Sequence, residues 1–164
     1  AGEPSAVHSA DGRGRTGMTI HEDIDIDCAP DVVVDVMADV RNETEWNGDV
    51  SAAEMITDGP IGSGSRFVTA HGAPLGDIES TITTFERPGR LEFSATSKRM
   101  DLAISLTFAE SASGTTMHGN YVPKPKGVMV ALFPLLRPLI RRDMAKQHQR
   151  LKAFCESRAR SGDS

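Results

Sequence analysis

The chain has 164 residues, 38% hydrophobic and 25% charged, with a formal net charge of −5 at pH 7. That length supports one hydrophobic core rather than two, and the composition excludes disordered and fibrous classes. Residues 1–136 hold 10 Lys and Arg against 20 Asp and Glu, net −10, whereas residues 137–164 hold 8 against 3, net +5. An acidic body with no aromatic residues interleaved among basic ones argues against a nucleic-acid binder.

Residues 1–17 contain Gly, Ser, Arg and Asp and lack the apolar centre of a signal sequence. They read as a disordered leader, with a folded domain over residues 18–158 and a flexible tail over 159–164. From Met18 to Asp27, Ile20, Ile24 and Ile26 alternate with His21, Asp23, Asp25 and Asp27, the pattern of a half-buried strand. Pro30 suits a first helical position, and Val33, Val36, Met37 and Val40 follow at helical spacing, so Pro30–Val40 is expected to be a short amphipathic helix. The polar stretch Arg41–Asp49 around Trp46 is expected to form a second short helix or turn.

Segments rich in β-branched residues then recur at 50–57, 64–71, 76–86, 90–97, 100–110 and 115–122, separated by Gly- and Pro-containing turns. Such short connections predict an antiparallel meander. In Asp101–Glu110, Leu102, Ile104, Leu106 and Phe108 share one face, which needs a cover. The last segment supplies it: Phe133, Leu136, Ile140, Met144, Leu151 and Phe154 recur at helical steps to about Ser157, with Arg and Lys on much of the other side. Pro134 and Pro138 each remove a helical donor, so a kink or a separate first segment is expected before Leu139. The apolar run Val128–Leu136 is far short of the roughly 20 residues that span a bilayer.

Most chemical motifs are excluded. Gly62-Ser63-Gly64-Ser65 lacks the Lys and following helix of a phosphate loop, and no Gly-x-Ser-x-Gly elbow occurs. No His or Cys pair has metal-ligand spacing, so neither metal nor cofactor is expected. Cys28 and Cys155, far apart in the chain, read as two reduced thiols, which with the missing signal sequence points to a cytoplasmic protein.

The order strand, two short helices, meander and long C-terminal helix resembles the helix-grip topology. The stretches IDIDCAPDVVVDVMADVRNETEWN, GPIGSGSRF, TITTFERPGRLEF and PLLRPLIRRDMAKQHQRLKAF are similar to those of the polyketide cyclase/dehydrase and lipid-transport (START-like, SRPBCC) superfamily, over about residues 19–157. The resemblance implies an α+β fold in which a curved antiparallel sheet of about seven strands grips the long helix around a cavity. Phe133, Leu136, Ile140 and Met144 would form one wall, Phe67, Ile82, Phe93, Met117 and Tyr121 the other, with Trp46 near the mouth. Polar residues placed to face such a cavity are Arg66, His71, His118, Tyr121 and His148. Of these, His71 and Tyr121 are candidates to move a proton or polarise a carbonyl.

The first reading is therefore a binding or transport module for an apolar small molecule such as a lipid or polyketide. The second is a cyclase/dehydrase-type enzyme using His71 and Tyr121. The third is an interaction protein whose basic C-terminal helix meets an acidic partner or a membrane surface.

Overall fold

The computed structural model describes residues 19–162; the expected leader and the domain start at residue 18 lie outside them. Seven strands, β1 (Ile20–Ile26), β2 (Val50–Met55), β3 (Arg66–His71), β4 (Asp77–Glu86), β5 (Arg90–Thr96), β6 (Met100–Ser111) and β7 (Gly114–Pro125), form one antiparallel sheet in the order β1-β7-β6-β5-β4-β3-β2. Helix α1 (Pro30–Ala38), a 3-10 turn (Val40–Asn42) and α2 (Glu43–Trp46) connect β1 to β2, and α3 (Met129–Gly162) closes the chain. The α+β helix-grip architecture expected from the sequence is the one observed.

Local chemistry accounts for these elements. Pro30 opens α1 and Asp31 sits in its first turn, where an acid suits the positive helix end. The helix buries Val33, Val34, Val36 and Ala38. Asp39 accepts from the Arg41 backbone N–H and pairs with its guanidinium at 2.8 Å, which fixes the turn toward α2. The sheet register shifts at Val50/Ala52 and at Ile82/Thr84, bulges of the kind that add twist and bend a sheet into a curved surface.

Two rows of inward side chains cross the sheet. One runs Ile20–Tyr121–Ile104–Phe93–Ile82, the next Pro123–Leu102–Ala95–Ser80–Phe67. Helix α3 lies over them, with β1, β7, α1 and α2 as its main neighbours. Arg137 donates to the Thr19 carbonyl (3.3 Å), Lys152 to the Asp25 carbonyl (2.5 Å), and the Glu156 carboxylate accepts from the Asp27 N–H (3.0 Å). The helix thus runs alongside β1 and covers an edge strand.

One expectation changes: helix α3 is continuous through Pro134 and Pro138, with no separate first segment before Leu139, and extends to Gly162. Both prolines are exposed, so the carbonyls they leave without a helical partner face water instead of the core. The two cysteines, far apart in the chain, are neighbours in the fold: Cys28, just after β1, and Cys155, on α3, are both buried free thiols close enough to affect each other's ionisation. Burial pushes both thiols up, Cys155 to about 12, so neither is poised as a nucleophile.

The β6–β7 turn holds a glycine that the packing requires. Gly114 has φ +147°, and a Cβ there would lie 2.6 Å from the Cys28 backbone N and 2.7 Å from the Ile26 carbonyl oxygen. The neighbouring Thr115 hydroxyl donates to the Cys28 carbonyl at 2.7 Å. Gly114→Ala is expected to cost on the order of 2–4 kcal/mol in denaturant unfolding. Gly64→Ala, also at positive φ (+90°) but with nothing within 4 Å, should cost only about 1 kcal/mol. Equal losses would contradict the close-approach explanation.

Candidate functional site

The inward-facing side chains are not equally covered. Along β6, the inward Leu106 and Phe108 are buried whereas Ile104 and Leu102 keep accessible surface. Along α3 the same gradient appears: Leu151, Cys155 and His148 are buried, and Met144, Ile140 and Leu136 are only partly covered, before Phe133 and Met129 close the end. A side chain in a close-packed interior has no surface open to a water-sized sphere. The least covered apolar side chains therefore lie on the first half of α3 and the neighbouring end of β6.

Phe67, Ile82 and Met117, expected on the cavity wall, have no accessible surface and belong to the packed core. Phe93 and Tyr121 are nearly as buried, with Tyr121 in the same cross-sheet row as Ile104. Trp46, expected near the mouth, is 7% exposed and part of the core cluster.

Polar groups collect on this apolar ground. The Tyr121 hydroxyl and His148 Nε2 lie 3.0 Å apart, joining β7 to α3. Room for the tyrosine ring comes from Gly119, where a Cβ would sit 2.7 Å from Tyr121 Cε2. Burial, reinforced by the nearby carboxyls of Glu22 and Glu43, pushes the Tyr121 hydroxyl up, so it stays protonated. Burial also lowers the His148 pKa, so its ring is neutral at pH 7 and carries one donor and one acceptor nitrogen. Among the described residues three polar side-chain atoms, Trp46 Nε1, Ser80 Oγ and Arg137 Nε, are buried with no hydrogen-bond partner in the protein. Ser80 belongs to the same inward row as Leu102.

The other sequence candidates lie elsewhere. Arg66 is exposed and paired with Glu79, and His118 is exposed and bonded to Asp23 at 2.8 Å, so neither faces the interior. His71, on β3, is half-buried and bonds the Thr69 hydroxyl at 3.0 Å. Its pKa is lowered by burial, which Asp49 and Asp77 oppose. Tyr121 is thus joined to His148 and not to His71, four strands away in the sheet order. Glu22 and Glu43 were not singled out from the sequence. The signal for Glu22 was its place on the isoleucine face of β1, opposite Gly119; Glu43 had none within its polar stretch.

A separate groove of about 530 Å³ lies between α1, the end of β4 and α3, lined by Val32, Val36, Ile61 and Phe85. The charges at its edge are largely matched: Arg87 pairs with Asp31 and Asp35, and Arg41 with Asp39. Among the described residues no three His, Cys, Asp or Glu side chains gather as a metal site.

Glu43 supplies a test of this electrostatic picture. Burial pushes its carboxyl up to about 7, with the Asn47 side chain pulling the other way. A carboxyl that holds its proton more tightly folded than unfolded stabilises below the unfolded value and loses that stability as pH rises toward 7. Glu43→Gln should therefore raise thermal stability at pH 8 by on the order of 2–3 kcal/mol and make little difference near pH 4. A constant difference across that range in pH-dependent unfolding would contradict the assignment.

The fold is shared with solved structures at low sequence identity. A START superfamily protein from Mycobacterium smegmatis superposes with a TM-score of 0.70 at 9% identity, over 86% of this chain and 99% of that one. The di-domain ARO/CYC StfQ from the steffimycin biosynthetic pathway gives 0.68 at 14% identity, over 87% of this chain and 51% of that one, so the chain spans about half of it. Ara h 8.0201 gives 0.64 at 9% identity, over 85% of this chain and 97% of that one. No curated protein sequence matches the chain. The family model for polyketide cyclase / dehydrase and lipid transport matches residues 18–156, nearly the whole described chain, and the protein belongs to that family.

Proposed function

We propose that the protein binds an apolar small molecule carrying at least one oxygen function, in the space between the first half of α3 and the sheet. The observation that carries this reading is the combined exposure gradient: inward-facing Leu102, Ile104, Leu136, Ile140 and Met144 stay incompletely covered while the residues behind them are fully packed. Apolar walls with a few convergent polar groups are the usual form of a small-molecule site. Ser80, in the same inward row as Leu102, and the Tyr121–His148 pair are those groups here. A buried hydroxyl without a partner costs about 1–3 kcal/mol, which a ligand oxygen facing Ser80 would recover. Membership of a family named for polyketide cyclases and lipid transport, and a fold shared with a START protein and an ARO/CYC, support the same class of ligand.

The Tyr121–His148 contact favours a second reading, a cyclase/dehydrase-type enzyme acting through this pair in place of His71 and Tyr121. With the proton on His148 Nε2, that N–H donates to the Tyr121 oxygen, and the phenol O–H is free to donate to a ligand carbonyl. A neutral buried imidazole beside a protonated phenol can accept or return one proton as a carbonyl enolises.

The test of the first reading is titration of delipidated protein with fatty acids and flat aromatic ketones, read through the single tryptophan, Trp46. Saturable quenching or a spectral shift is expected, and native mass spectrometry should show one ligand per chain. No response by either method across the panel would contradict it. Tyr121→Phe should weaken ketone binding roughly tenfold, the worth of one hydrogen bond, and leave a hydrocarbon of the same shape unaffected. Equal loss for both ligands would place Tyr121 in a purely structural role.

A further inference from the structure

The outward side of α3 carries a feature that an interior ligand site does not use. Val128, which caps the first turn just before the helix, and Leu132, Leu135 and Leu139 within it are 61, 42, 78 and 56% exposed. Their steps of four, three and four residues, at about 100° per residue, place them in one narrow line along the helix. Continued by the same steps, that line passes through Arg142, Lys146 and Arg150, all exposed. Before the apolar segment stands exposed Lys124, and the exposed pair Lys98 and Arg99 is held beside it by the Lys126 N–H to Arg99 carbonyl bond of 2.8 Å. Four large aliphatic side chains are thus displayed to solvent with cationic groups at both ends.

We infer that this line is a docking surface for an anionic lipid bilayer, with the four aliphatic side chains entering the acyl boundary and the flanking Lys and Arg meeting lipid phosphates. Aliphatic residues in line with cations are the composition of helices that lie in a membrane interface. Each Lys or Arg near an anionic leaflet adds about 1 kcal/mol of attraction. Charge also decides between occupants. A second copy docking by the same line would bring cation against cation whether the two helices ran parallel or antiparallel. Four aliphatic side chains also fall well short of the ~800 Å² per partner typical of a stable protein interface. Among the described residues no helix is long and apolar enough to cross a membrane, so the contact is a peripheral one. The inference stands apart from the ligand reading, since it rests on outward residues alone.

The experiment is vesicle sedimentation of the full chain with phosphatidylcholine alone and with phosphatidylcholine mixed with phosphatidylglycerol, at low and raised salt. Retention on the anionic vesicles only is expected, weakening with salt. The variant Leu135→Glu with Leu139→Glu should lower retention roughly tenfold or more with Tm unchanged, because both side chains already face solvent. Arg142→Glu with Lys146→Glu should lower it as well. Absence of retention on anionic vesicles at low salt would overturn the inference. So would retention that the leucine variant leaves unaltered, which would mark a contact made by charge alone. A concentration-dependent dimer in sedimentation velocity that the leucine variant abolishes would assign the line to a second copy, and would overturn it too.

Discussion

The position of α3 against β1 governs the rest of the molecule. An edge strand presents unpaired carbonyl and N–H groups, and α3 meets them with Arg137 at Thr19, Lys152 at Asp25 and Glu156 at Asp27. Between these contacts the C-terminal half of the helix sinks Leu151 and Cys155 into the core, with Cys155 against Cys28. The concave face of the sheet is covered unevenly. Leu106 and Phe108, on the strand that α1 packs against, are buried, whereas Ile104 and Leu102 keep accessible surface. The less covered stretch lies toward the first half of α3, where Leu136, Ile140 and Met144 are also only partly covered.

The same geometry explains where the polar chemistry sits. His148 lies at the transition between the packed and loosened halves of α3, where it reaches Tyr121 across the interior. Gly119 leaves the room the phenol ring occupies, and Glu22, opposite Gly119, lies beside it. Low polarity keeps the imidazole neutral and the phenol protonated, so the pair is a hydrogen-bonding device rather than a charged one. The groove beside α1 differs in kind, because its Arg87 and acidic neighbours are already engaged with one another.

The sheet was legible because its period-two alternation is strong: the inward set Leu102, Ile104, Leu106 and Phe108 could be read from the chain and pairs in register with Pro123, Tyr121, Gly119 and Met117. What the alternation cannot reveal is which inward side chains stay uncovered, since Ile104 and Leu106 are equivalent in pattern and differ only in how completely other elements cover them. Strand parity placed His71 and Tyr121 on inward faces without the sheet order, so it could not show that Tyr121 meets a helix residue. The outward line through Leu135 was hidden for another reason. The dense run Val128–Leu136 offers apolar residues to every side of a helix, and the two prolines pointed to a break where the helix in fact continues. Cys28 and Cys155 are brought together by the chain's first and last described elements, a contact that no local pattern encodes.

The central claim is that the interior is open beside Ile104 and closed beside Leu106, two positions apart on one strand. Thermal unfolding of Ile104→Phe and Leu106→Phe measures this directly. Overfilling a packed site costs about 1–3 kcal/mol, whereas a larger side chain entering free space is tolerated. The account predicts that Leu106→Phe loses stability on that scale while Ile104→Phe stays within about 1 kcal/mol of the parent. Equal, substantial losses at both positions would show a filled core and contradict it.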